Sequence, residues 1–181
     1  MSDKLPHYDT MTSPVGELLL VGDGQALTGL YMRPDHRRVP RVDRGWRRDR
    51  GLFGDARQQL RAYFDGELKA FDLPLAPRGT AFQMEVWRAL LDIPYGGTAS
   101  YGELAGAVGR PRAARAVGAA NGRNPLAIVV PCHRVIGAAG ALTGYAAGVD
   151  RKRILLELER SGSEQQAELA GLGYERAVGR P

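Results

Sequence analysis

Cysteine is nearly absent: Cys132 is the only one in 181 residues. That excludes an internal disulfide and any zinc site built on several cysteines, and it leaves a free thiol of the kind found in a reducing compartment. Long apolar runs are missing too. No stretch approaches the roughly 20 residues that span a bilayer. The opening Met1-Ser2-Asp3-Lys4-Leu5-Pro6 has no apolar core of a signal peptide, so the expected location is the cytoplasm, away from membranes. The chain holds no internal repeat, no low-complexity tract and no Gly-rich phosphate loop, and the default expectation is chemistry without a cofactor or metal. Acidic residues are in the minority. The 25 Lys and Arg against 20 Asp and Glu leave a net charge of +5, carried mostly by arginine. Arginine pairs with phosphate through a planar fork and favours polyanionic partners, although a solvated basic surface has the same composition.

What is present fits one domain of ordinary size or two small ones, with 44% hydrophobic residues to build a core. Leu18–Val21 and Ala26–Met32 flank Gly22-Asp23-Gly24, which is turn chemistry, and predict a β-hairpin. From Arg33 to Arg50 the apolar pattern stops. Eight arginines (33, 37, 38, 41, 44, 47, 48 and 50) stand against three aspartates (35, 43 and 49), a local net of +5. This predicts a long, mobile basic loop, read first as a solvated insertion and second as a DNA contact. Leu52, Ala56, Leu60 and Phe64 recur at helical spacing and predict a helix over 52–65. Residues 71–79, with Pro74 and Pro77, read as a strand fragment and linker, so an N-terminal subdomain is expected over 1–79.

The second half opens with Thr80-Ala81-Phe82-Gln83, a capping box, followed by an apolar stripe of Phe82, Val86, Leu90 and Leu91 that Pro94 ends. Ser100-Tyr101-Gly102-Glu103 repeats the capping signature and starts a short helix to about Val108. After the turn Gly109-Arg110-Pro111, with Pro111 suited to the first helical position, a second helix runs through Ala113, Ala114, Ala116, Val117 and Ala120 to Asn121-Gly122. Two short helices around a Gly-containing turn are a helix-turn-helix candidate, and an ordinary helical hairpin of small residues is the plain alternative. Between Ile93 and Arg134, five arginines (110, 112, 115, 123 and 134) face one acid, Glu103. A last helix is expected from Asp150, as N-cap, to Arg160, with Val149, Ile154, Leu155 and Leu158 facing the core. Residues 161–181 read as a polar tail with a short helix around 165–172.

Leu126-Ala127-Ile128-Val129-Val130 reads as a buried strand leading into Pro131-Cys132-His133-Arg134. A thiol attacks as thiolate and needs a base, and His133 is the adjacent candidate. In an extended chain neighbours point to opposite sides, so contact needs the strand to end at Pro131 or a bridging water. Glu159, on the last helix, is either the carboxylate that orients this histidine or a solvent-exposed helix-end glutamate; spacing leaves both open.

Ile128-Val129-Val130-Pro131-Cys132-His133-Arg134-Val135-Ile136 resembles the active-site motif of the O6-alkylguanine-DNA alkyltransferases, also called methylated-DNA–protein-cysteine methyltransferases. Ile93-Pro94-Tyr95-Gly96, Ser100-Tyr101-Gly102-Glu103, Ala113-Ala114-Arg115-Ala116-Val117-Gly118, Asn124-Pro125 and Leu142-Thr143-Gly144-Tyr145 resemble its flanking motifs in order and spacing. The resemblance is strong from about Thr80 to Glu159 and weaker in the first half. It implies a ribonuclease-H-like α/β subdomain followed by a mostly helical DNA-binding and alkyl-acceptor subdomain over 80–160.

The resemblance also implies roles. Cys132 is the alkyl acceptor; His133, through a water and oriented by Glu159, takes its proton; Tyr101 bonds N3 of the target guanine; Asn124 is the hinge of the helix pair. Arg115 is the finger that fills the gap left by a flipped nucleotide, and Ala113, Ala114, Ala116 and Gly118 let the helix approach the minor groove. Val135 by its backbone, Tyr145 and Ala146 line the base pocket, and Ala146 stands where some relatives have a serine. The zinc some relatives hold in the first half is not expected, because no cysteine is there. The expected reaction is a single, irreversible transfer from O6-alkylguanine in duplex DNA to Cys132, with O4-alkylthymine as a second substrate candidate. A monomer in solution is expected, with clustering on DNA left open. The alternatives are a Cys-His-Glu hydrolase and a non-catalytic lesion-binding module.

Overall fold

The computed structural model describes residues 6–33 and 38–178, with side chains to residue 164. A four-stranded sheet comes first. It is formed by β1 (His7–Ser13), β2 (Gly16–Gly22), β3 (Leu27–Arg33) and the two-residue β4 (Arg47–Arg48), in the order β3-β2-β1-β4. β1 and β3 run antiparallel to β2, and β4 runs parallel to β1. The hairpin expected from the sequence is β2–β3. β1 was not expected, because His7-Tyr8-Asp9-Thr10-Met11-Thr12-Ser13 is mostly polar. It becomes a strand by pairing along its whole length with β2, whose central Leu18, Leu19 and Leu20 are buried on both faces. The basic segment is not wholly loop: β4 lies inside it, held at the sheet edge. Arg37 and the rest of 34–37 lie outside the described residues.

α1 (Gly54–Phe64) buries Ala56, Leu60 and Tyr63. In the stretch 71–79, Leu75 makes a single parallel bridge to Leu27. α2 (Ala81–Leu91) starts with both bonds of the Thr80–Gln83 capping box formed. Its buried residues are Val86, Trp87 and Leu90, while Leu91 is exposed, so the expected stripe was one residue out of phase at its end. Trp87 fixes α2 to the helix pair by donating Nε1–H to the Ala120 carbonyl at 2.9 Å.

β5 (Ala99–Ser100) leads directly into α3 (Tyr101–Ala107), whose capping box is also complete. α4 (Ala114–Asn121) starts later than expected, and Pro111 lies in the preceding turn rather than at the first helical position. β5 pairs in parallel with β6 (Val135–Ile136), and this places Tyr101 beside the residues that follow Cys132.

The predicted strand over 126–130 does not form. Leu126 makes one bridge to Leu30, and residues 127–129 turn back, with Val130 N–H donating to the Leu126 carbonyl at 2.9 Å. Its apolar character reflects burial alone: all five side chains are inside. Ile128 takes φ +71°, a costly conformation for a β-branched residue, of about 1 to 3 kcal/mol. Cys132–Arg134 then form one 3-10 turn instead of an extended strand. This removes the alternation that set Cys132 and His133 on opposite sides.

α5 (Val149–Val178) is longer than expected at both ends. Asp150 lies in its first turn and is not its cap, and the helix runs without a break through 161–178, so the short separate helix at 165–172 is not a separate element. Residues 179–181 of the expected tail lie outside the described residues. Leu155 is buried and Ile154 exposed; the inward positions also include Lys152 and Glu159. No helix among the described residues is long and apolar enough to cross a membrane. Thr80→Ala should lower stability by about 1 kcal/mol in urea unfolding, with Thr80→Ser close to the parent.

Candidate active site

The site is built around a carboxylate. Glu159, on α5, is fully buried and accepts five hydrogen bonds. Oε1 receives Tyr63 Oη–H at 2.8 Å, His133 Nε2 at 2.8 Å and Arg134 Nη2 at 3.0 Å. Oε2 receives Arg134 Nε at 2.9 Å and Gly96 N–H at 3.1 Å. Gly96 makes this approach with φ +75°, and a Cβ there would lie 3.2 Å from the Glu159 backbone oxygen, so glycine is required. Burial opposes the charged carboxylate, but the hydrogen bonds and charges of His133 and Arg134 outweigh it and hold Glu159 at about 2, below the usual 4.5. Of the two alternatives the sequence left for Glu159, the structure shows the buried histidine partner.

An ionised Glu159 dictates the histidine tautomer. Nε2 must carry the proton, which leaves the Nδ1 lone pair free to accept one. Burial pushes His133 below its ordinary value despite Glu159, so the imidazole is neutral near pH 7. Nδ1 is buried and has no hydrogen-bond partner among the described residues, the thiol of Cys132 included.

Cys132 is itself buried, and burial pushes its thiol up; Asn124, Lys152 and Tyr145 act in the opposite direction. Asn124 locks the preceding turn. Its Nδ2 donates to the Val130 carbonyl at 2.8 Å and its Oδ1 accepts Leu126 N–H at 2.9 Å. Asn121, from α4, donates to the Cys132 carbonyl at 3.3 Å, so the helix pair is tied directly to the thiol's backbone.

Beside the thiol opens a cleft of about 760 Å³, lined by Tyr101, Thr143, Gly144, Tyr145 and Ala146 together with Gly118, Ala119, Gly122, Arg123 and Arg38. Tyr101 and Tyr145 are both raised by burial and by the neighbouring Cys132, which places the sulfur next to this lining. The Tyr101 hydroxyl makes long contacts of 3.4 Å to the Thr143 and Gly144 carbonyls, with Asn121 also beside it. Val135 is not part of the lining. It is fully buried, and its carbonyl accepts Lys152 Nζ at 2.5 Å.

The fold therefore gathers Cys132, His133, Glu159, Tyr101, Asn124, Tyr145 and Ala146. Arg115 and Ala116 are exposed on α4, Ala113 and Ala114 are half-buried at its start, and Gly118 faces Tyr101. Three members were missed. Arg134, counted among the charges of the basic stretch, is buried and forked onto Glu159; Tyr63 comes from α1; Lys152 is fully buried and also donates to the Thr143 carbonyl at 2.8 Å. The spacing of Lys152, Leu155 and Glu159 along one helical face was the available signal. Tyr63 had none, because it lies 96 residues from its partner.

A helix pair tied to a buried thiol, beside an open cleft wide enough to admit a nucleobase, is the arrangement of a DNA-acting protein with a cysteine acceptor. The sequence model of the 6-O-methylguanine DNA methyltransferase ribonuclease-like domain matches residues 7–77, and that of the DNA-binding domain matches 81–161. Methylated-DNA–protein-cysteine methyltransferase of Mycobacterium tuberculosis is 58% identical over 155 residues, 86% of this chain and 93% of that protein. The one of Methanosarcina acetivorans is 52% identical over 86% of this chain and 99% of its own length. The crystal structure of Mycobacterium tuberculosis OGT in complex with DNA superposes with a TM-score of 0.80 at 57% identity, covering 86% of this chain and 94% of that one. The chain belongs to the 6-O-methylguanine DNA methyltransferase family.

Two outcomes are expected of the site. Because the folded pKa of Glu159 is depressed, its contribution to stability is complete above about pH 5 and is lost as pH falls toward 2, a loss on the order of 3 kcal/mol. Acid unfolding of Glu159→Gln, compared with the parent, should lack that component and start from lower stability at neutral pH. Lys152→Met removes a charge that favours the thiolate, so the midpoint of Cys132 alkylation by iodoacetamide should move to higher pH. An unchanged midpoint would remove Lys152 from the thiol's electrostatics.

Proposed function

We infer that the protein repairs alkylated DNA directly, by moving the alkyl group from O6 of guanine onto Cys132. The observation that carries this is the linked set of Cys132, a neutral His133 with a free Nδ1 lone pair, and the ionised Glu159 behind it. The thiol is held protonated by burial, so it reacts only when its proton is taken. Nδ1 is out of direct reach, and one bridging water carries the proton from Sγ to His133. Sulfur then attacks the carbon attached to O6. The S–C bond forms, the C–O6 bond breaks, and the electron pair passes into the guanine ring. Tyr101, whose hydroxyl is only loosely held, donates to N3 and helps neutralise the leaving base.

O6 lies inside the duplex, so the nucleotide is rotated out of the stack into the cleft lined by Tyr101, Tyr145 and Ala146. α4 enters the minor groove. Its exposed Arg115 fills the vacated gap, and Ala113, Ala114, Ala116 and Gly118 allow the close approach. Val135 shapes the pocket from behind, with its carbonyl fixed by Lys152. The division into 1–79 and 80–160 belongs to the same inference, and the spans of the two family matches support it.

The product thioether has no good leaving group, so each molecule acts once. A hydrolase would instead release its product from a thioester. The relatives named above are methyltransferases, and Cys132 supplies the acceptor that a lesion-binding module would not need.

With a duplex carrying labelled O6-methylguanine, label on the protein should saturate near one equivalent and be lost in Cys132→Ser. Multiple turnover would overturn the single-use reaction. Arg115→Ala should slow duplex repair by about tenfold or more and leave reaction with free O6-benzylguanine within about twofold, since a free base needs no flipping; equal losses would show that Arg115 acts elsewhere.

A further inference from the structure

The arginine segment after β3 takes no part in the chemistry above, yet it begins at the mouth of the cleft. Arg38 lines the same cleft as Arg123 and Gly118, so the N-terminal half meets the end of α4 there. From Arg38 an arginine recurs at every third position: Arg41, Arg44, Arg47 and Arg50. These four are exposed and make no ion pair among the described residues. The two aspartates of the segment are occupied elsewhere. Asp43 Oδ1 accepts Gly45 N–H at 2.8 Å, and Asp49 accepts Leu52 N–H at 3.1 Å while facing His7 at 3.4 Å. Arg48 differs from its neighbours, because Asp9 holds it at 3.2 Å.

The far end of the segment is fixed. β4 pairs with β1, and Trp46 packs edge-on against Tyr8 with ring centroids 6.3 Å apart. The segment thus runs from the cleft to the sheet edge, and between these points it carries exposed guanidinium groups without an ion pair among the described residues, in excess over its two aspartates. Such an excess of positive charge repels itself, and a polyanion relieves that repulsion. Its continuity with the rim that holds Arg123 selects the polyanion already engaged there.

We propose that residues 38–50 form a second DNA-contacting element, whose arginines bind phosphates of the duplex arm flanking the flipped nucleotide and extend the face begun by α4. The proposal rests on the DNA-repair function inferred above. The contacts are to the backbone, so they add affinity without sequence preference and hold the arm while the base is out.

The test is binding of the full chain to an O6-methylguanine duplex over a salt series, beside its rate with free O6-benzylguanine. Combining Arg41→Ser, Arg44→Ser and Arg47→Ser should reduce the slope of log affinity against log salt by about 2 to 3 and weaken binding by about tenfold or more. The free-base rate should stay as it is, because that substrate carries no phosphate. The charge-matched set Arg88→Ser, Arg153→Ser and Arg160→Ser should change the slope by less than about 1. Equal effects of the two sets would assign the change to net charge and overturn the proposal, as would an unchanged slope. Failure of the underlying function looks different: the parent protein would then transfer no label from any duplex.

Discussion

One buried carboxylate holds the molecule together at its working point. Taking a charge out of water costs several kcal/mol unless it is paired and fully hydrogen-bonded, and Glu159 is satisfied only because three separate parts of the chain arrive at the helix that carries it. Tyr63 comes from α1, Gly96 from the loop after α2, His133 and Arg134 from the 3-10 turn, and Glu159 itself from α5. Arg134 extends the junction by donating Nη1–H to the Ile93 carbonyl at 2.6 Å. Loss of any one donor leaves a charge less compensated, and the Tyr63 hydroxyl ties the first half to this junction. The same carboxylate fixes the protonated nitrogen of His133, and structural and chemical demands meet in a single group.

The turn that carries Cys132 is braced at every side. Ile128 sits in a strained backbone conformation, Asn124 ties the turn to itself, Asn121 ties it to α4, and Lys152 clamps the Val135 carbonyl to the loop at Thr143. Strain of this kind persists only where the surroundings over-determine it. In the inferred reaction this rigidity sets the position of the sulfur before substrate arrives, and the gain is in positioning. A protein that reacts once has no need to open this turn for product release.

The N-terminal half reaches the site by three routes. β3 pairs with the start of the catalytic turn, Leu30 N–H donating to the Pro125 carbonyl at 2.7 Å; α1 supplies Tyr63; and the arginine segment brings Arg38 to the cleft. This half thus packs against the turn that carries the thiol and contributes Arg38 to the cleft. Its family match as a ribonuclease-like domain describes its shape, and these contacts describe what it does for its neighbour.

Local physics made much of the chain legible. The capping boxes at Thr80 and Ser100 and the β2–β3 hairpin depend on residues within a few positions of one another, and each took the form the sequence predicts; the helix pair formed too, with its second helix starting later than expected. β1 was not legible, since its polar residues become a strand only when β2 lies beside them. The 126–130 stretch was misread because burial and strand formation share an apolar signature, and periodicity cannot separate them in so short a run. Cys132 and His133 were plain in the sequence, but which group held the histidine was not. The chain by itself determined that there is one thiol, one adjacent histidine and a family pattern around them. Only the tertiary structure decided that Glu159 is inside, that Arg134 and Tyr63 share it and that Lys152 lies beneath the loop, because a buried charge is settled by partners brought from distant positions.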